Sequence, residues 1–219
     1  MKFKAILFDC DGLMFDTEIL WKYYFFEANK VFNQNFTEHD RVSLIGKNEK
    51  TIREALKQSS FNLDVDAYRD WIHAQVKKHI DNHGVDVKRG LVDLINFCIL
   101  NRIKMGIVSG SKKTQVQKLL KSNNIAESYF DVFATGELDI KPTPNPDLYL
   151  YSCQELGLTP NDCIVLEDSY LGVEAGHKAG CFTIMIPDLL PVNSEMEQMA
   201  NLIFPDLLHV IDFLNENNK

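Results

Sequence analysis

The chain lacks any apolar run of about 18 residues, the length a helix needs to cross a bilayer, so no membrane-spanning segment is expected. Positive charge is scarce. The 23 Lys and Arg against 31 Asp and Glu give a net charge of −8, which repels polyanions and argues against nucleic acid as a partner. Cysteine is sparse too: Cys10, Cys98, Cys153, Cys163 and Cys181 are odd in number and show no metal-type spacing. They are expected to be buried, reduced thiols of a cytoplasmic protein. Internal repeats and low-complexity tracts are missing, and Asp9 and Asp11 interrupt the early apolar run that a secretion signal would need. What is present is 219 residues at 45% hydrophobic and 25% charged content, enough for one substantial core with a smaller appended unit.

Apolar runs at residues 5–8, 104–108, 132–134, 163–166 and 182–186 read as buried parallel strands. Between most of them lie helical periodicities: Leu91, Leu94, Ile95 and Cys98; Val116, Leu119 and Leu120; Leu148, Tyr151, Glu155 and Leu156. Strands alternating with helices predict an α/β fold, a Rossmann-like open parallel sheet with helices on both faces. Right-handed crossovers then bring every strand's carboxyl end to one edge. Residues 16–85 break the pattern. They hold helical stripes only, one starting at Leu20, Tyr23, Tyr24 and Glu27 and a stronger one at Tyr68, Trp71, Ile72, Val76 and Ile80. The expected organisation is a core of residues 1–15 and 86–219, with an all-helical cap of residues 16–85 over the active edge.

Asp9 and Asp11 sit one residue apart where the first strand meets Gly12. In open α/β sheets the ligand crevice lies at that edge, so acids placed there point to chemistry. Alternation turns Cys10, between them, toward the core. After the second strand come Ser109, Gly110, Ser111 and Lys112, a hydroxyl and glycine at a helix start, suited either to an anion or to a simple N-cap. After the fourth come Glu167 and Asp168, hard oxygen ligands suited to Mg²⁺, then Gly172 and Gly176, whose spacing lets a helix lie close on the sheet. Four converging carboxylates repel one another unless a divalent cation joins them. The pattern suggests metal-assisted phosphate chemistry with a carboxylate as nucleophile.

These clusters, in this order, resemble the haloacid dehalogenase superfamily, in particular its phosphoglucomutase-like phosphatase branch. Asp-Cys-Asp-Gly-Leu-Met-Phe-Asp-Thr-Glu (9–18) looks like the first family motif, and Leu-Glu-Asp-Ser (166–169) with Gly-Val-Glu-Ala-Gly (172–176) looks like the fourth. The resemblance implies that Asp9 is the nucleophile and Asp11 the general acid and base. It implies Mg²⁺ held by Asp9, the Asp11 carbonyl and Asp168 with help from Glu167, and phosphoryl oxygens held by Ser109 and Gly110. The third motif departs from the family pattern. Counting back from Pro146-Asp147 places Thr143 where the family has lysine, and a bulge through the three prolines is expected to return Lys141 to the site. Lys47, with Arg41 and Lys50, and Lys112 are the expected substrate contacts. The implied function is a phosphatase acting on a small phosphorylated metabolite such as a sugar phosphate, with a monomer sufficient for the task. The alternatives are a sugar-phosphate mutase and a catalytically silent regulatory protein on the same fold. Trp21 stands where the mutases of this branch carry a histidine, which favours hydrolysis; the silent reading would require loss of an acid, and all are present.

Overall fold

A computed structural model describes residues 3–59 and 62–217. Six strands form one sheet: β1 (Ala5–Asp9), β2 (Lys104–Ser109), β3 (Val132–Thr135), β4 (Cys163–Glu167), β5 (Phe182–Met185) and β6 (Leu202–Ile203). Their order is β3-β2-β1-β4-β5-β6, and every pairing is parallel. β1 is central, with Ala5 opposite both Lys104 and Cys163. A strand covered on both faces needs apolar residues at every position, which its four leading residues supply, all fully buried. Ile6 and Phe8 pack on one side with helices α5 (Leu91–Asn101), α6 (Lys113–Ser122) and α10 (Leu208–Asn217). Ala5 and Leu7 pack on the other with α7 (Asp147–Glu155) and α8 (Tyr170–Ala179). The short α9 (Ser194–Met199) adds Met196 to a small cluster with Val173 and Met185.

Four strands run one residue beyond their apolar stretch, to Asp9, Ser109, Thr135 and Glu167. The polar residue that ends each run therefore still has strand geometry, and the register sets Asp9 level with Val108 and Phe8 level with Leu166. The two-residue β6 carries no periodicity of its own and was not expected from the sequence.

Between β1 and α5 the chain forms α1 (Glu18–Val31), α2 (Glu38–Val42), α3 (Glu49–Ser59) and α4 (Val65–His83) around an apolar cluster of their own. Tyr68, Ile72 and Val76 of the expected stripe are buried there, and the Tyr68 hydroxyl lies 2.9 Å from Asn29 Oδ1. In α1 the inward face is Phe25, Ala28 and Asn29, whereas Tyr23 is 57% exposed. Leu20, Trp21 and Tyr24 pack against the same cluster, so the inward face is centred toward Trp21 and Phe25 and Tyr23 falls outside it. The two connections to the sheet run side by side: Asp16 N–H donates to Asp86 O and Lys88 N–H to Met14 O, both at 2.9 Å. Among the described residues no helix is long and apolar enough to cross a membrane.

Candidate active site

Asp9 ends β1, and the chain then folds back through Gly12, whose N–H donates to Phe15 O at 2.9 Å. This turn leads to Thr17, whose hydroxyl donates to Asp11 Oδ1 at 2.8 Å. The other Asp11 oxygen accepts from Ser111 Oγ at 2.9 Å and, more weakly, from Ser109 Oγ at 3.4 Å. Ser109 Oγ in turn accepts the Ser111 N–H at 3.0 Å. The Asp11 carboxyl is thus clamped by hydroxyls from two sides, and its orientation is fixed. Neither the Thr17 nor the Ser111 contact to Asp11 follows from the sequence, because a hydroxyl near an acid is common and the pairing needs the fold.

Glu167 and Asp168 leave β4 almost fully buried, at 2% and 4% exposure. Glu167 Oε1 accepts from the Tyr149 hydroxyl at 2.5 Å, and Oε2 from Ser169 Oγ at 3.1 Å and Ser169 N–H at 3.3 Å. Tyr149 belongs to α7, and nothing in the spacing of that helix marks it as a partner of Glu167. Two glycines make room for these acids. A Cβ on Gly172 would lie 1.9 Å from Glu167 Cδ, and one on Gly12 would lie 2.4 Å from Asp168 Oδ2. Gly12 also sits at φ +91°, a backbone state that side-chain-bearing residues rarely adopt.

Asp9, Glu167 and Asp168 each place a carboxylate oxygen within 4.8 Å of the others. Burial, followed by the charge of Glu167, pushes Asp9 and Asp168 well above the usual carboxylate range. Glu167 is raised by burial against the pull of its hydrogen bonds. Three such acids hold their charge together only around a cation, and an all-oxygen donor set of this kind fits Mg²⁺. Burial also pushes the Cys10 thiol well up, and its side chain packs in the core as alternation indicated.

A cavity of about 1020 Å³ lies between the four inserted helices and this edge. Asp9, Asp11, Ser109, Gly110, Lys112, Glu167 and Asp168 line it from the sheet side, and Trp21, Lys47, Lys50, Arg69 and His73 from the insert. Lys47 is half-buried and Lys112 exposed. Arg41 lines it too, but its guanidinium is already engaged by Glu38 at 2.8 and 2.9 Å.

A model of the haloacid dehalogenase-like hydrolases matches residues 6–186, from within β1 to just past β5. The chain belongs to that family. Among relatives of this hydrolase is the phosphorylated carbohydrates phosphatase of Thermotoga maritima, 26% identical over 181 residues that cover 81% of this chain and 82% of the relative. The fold matches the crystal structure of CbbY from Rhodobacter sphaeroides in complex with phosphate, at TM-score 0.79 and 21% identity, covering 95% of this chain and 96% of that one. It also matches the β-phosphoglucomutase of Clostridium difficile, at TM-score 0.77 and 22% identity over 98% of both chains.

One residue expected at the site of this haloacid dehalogenase-like hydrolase is not brought there. Lys141 is exposed and does not line the cavity, although Ile140, Pro142 and Thr143 around it do. The Thr143 hydroxyl donates to Gly46 O of the insert at 3.2 Å, so the loop turns Thr143 inward and leaves Lys141 outside. The bulge anticipated from the prolines does not carry the lysine inward.

Proposed function

We propose that this protein is a Mg²⁺-dependent phosphatase that hydrolyses the monoester of a small phosphorylated metabolite, a sugar phosphate foremost. Asp9 attacks phosphorus and carries the phosphoryl group as an aspartyl-phosphate. Asp11, fixed by Thr17 and Ser111, gives its proton to the departing alcohol and then takes one from the water that cleaves the intermediate. Ser109 and the Gly110 N–H hold phosphoryl oxygens. Asp9, Glu167 and Asp168, with the Asp11 carbonyl, would hold Mg²⁺, which supplies charge neutralisation to the transferring group. Residues 16–85 act as the cap that excludes water, over a core of residues 1–15 and 86–219.

The observation that carries this reading is the meeting of the Asp9–Glu167–Asp168 cluster and the clamped Asp11 on one wall of a cavity that the inserted helices also line. The phosphatase from Thermotoga maritima supports the substrate class. A second reading, a sugar-phosphate mutase, draws on Lys47 and Lys112, which stand on the cavity wall and could grip a second phosphate. Phosphate release from a panel of sugar phosphates and simple monoesters, with and without Mg²⁺, tests the proposal. Release that requires Mg²⁺ supports it. No release, with conversion of β-glucose 1-phosphate in the presence of a bisphosphate primer, would replace it with the mutase.

A further inference from the structure

Trp21 lies one turn along α1 from Thr17, so its side chain is on the helix face that holds Asp11. It is half-buried and lines the cavity. Two side chains that also line the cavity brace the ring. The Arg69 guanidinium carbon is 5.8 Å from the ring centroid, and the His73 ring meets it edge-on at 4.9 Å and 73°. Both braces are fixed by one carboxylate. Glu49 accepts from Arg69 Nε at 3.1 Å and Nη2 at 2.7 Å, and lies 2.9 Å from His73 Nε2. Arg69 is only 7% exposed.

Of this ion pair only Arg69 is buried, Glu49 being about a third exposed, and burying one charge in this way adds little stability over apolar packing of the same volume. The pair's local effect is to hold an indole rigid on the wall of the cavity that Asp11 also lines, one helical turn from the Thr17 that bonds Asp11. A flat aromatic surface suits the C–H face of a ring and gains little from a short open chain. We propose that Trp21, braced by Arg69 and His73, is the wall that packs against the sugar ring of the leaving group. The cavity thereby selects phosphate esters of cyclic sugars over acyclic ones. This inference rests on the phosphatase reading and names its substrate class.

The test compares glucose 6-phosphate with glycerol 3-phosphate at saturating Mg²⁺. Trp21→Ala is expected to lower kcat/KM for the cyclic ester roughly tenfold, mainly through KM, and to leave the acyclic ester within about twofold. Trp21→Phe should keep most of the preference. Equal effects on both esters would overturn the proposal. Fluorescence provides a readout independent of turnover and of the alanine variant's folding. The chain has two tryptophans, and Trp71 packs on Tyr24 and Phe32, off the cavity wall. In Trp71→Phe, Trp21 emission should shift with glucose 6-phosphate and not with glycerol 3-phosphate or inorganic phosphate. Equal responses to all three would refute the wall. A selective response with no hydrolysis would keep the wall and remove the phosphatase.

Discussion

Gly172→Ala replaces no proposed metal ligand, yet it should damage the acidic cluster. The new Cβ would stand 1.9 Å from Glu167 Cδ and Oε1 and 2.1 Å from Oε2, well inside contact distance. The carboxylate must retreat by more than an ångström, and with it go the hydrogen bonds from Tyr149 and Ser169. Hydrogen bonds to a charged group contribute about 1.5–3 kcal/mol each, so the two lost together are worth roughly 3–6 kcal/mol. Alanine in a helix returns about 1 kcal/mol relative to glycine, leaving a net loss of roughly 2–5 kcal/mol. In a chain of this size each kcal/mol lowers Tm by about 2–4 °C. Calorimetric melting reads that loss, and Mg²⁺ titration should show affinity reduced roughly 10–100-fold, as when a ligand's supporting shell is disturbed. A double-mutant cycle with Glu167→Ala isolates the cause. Once the carboxylate is gone, Gly172→Ala should cost nothing. Melting and Mg²⁺ binding like wild type, or an equal cost without Glu167, would refute the reasoning.

Tyr149→Phe leaves Glu167 Oε1 without its 2.5 Å donor, and Mg²⁺ affinity by titration calorimetry should fall roughly tenfold; an unchanged affinity would make that hydroxyl idle. Burial, followed by the Asp11 charge, pushes Glu18 up to about 7. Its folded-state value lies above its unfolded one, so its neutral form is favoured in the fold and stability is lost as pH rises through about 7. Metal-free Glu18→Gln should therefore lose less Tm than wild type between pH 5 and pH 8, and parallel curves would contradict this. Lys141→Ala should change kcat/KM by no more than about twofold, as a surface position does, while Thr143→Lys, which puts a cation on the cavity wall, should raise it. A large loss in Lys141→Ala would show that the lysine reaches the site after all.

The sheet was legible because its central strands are unbroken apolar runs, which only a doubly covered strand tolerates. The acids Asp9, Asp11, Glu167 and Asp168 were legible because they end such runs, where a charged residue is out of place in a core. Tyr149 was not, since a buried aromatic on a helix reads as packing and its partner lies 18 residues farther on. The Glu49–Arg69–His73 bracing was equally hidden, because it joins α3 to α4 and exists only once the insert has folded. Tyr23 misled because this helix is apolar around much of its girth, and spacing alone does not say which apolar face meets the rest of the insert. At residues 141–143 charge balance argued for the lysine, but the loop lines the cavity with Thr143 and leaves Lys141 exposed.

The most direct test of the central claim is a single-turnover mixing of protein, Mg²⁺ and a sugar phosphate, quenched in acid and analysed by peptide mass spectrometry. The account predicts the mass of one phosphoryl group on the peptide that carries Asp9, absent without Mg²⁺ and absent in Asp9→Asn, which should also lose phosphate release by on the order of 10⁴-fold or more. Phosphate release at the wild-type rate from Asp9→Asn, or a phosphoryl group found on another residue, would contradict it.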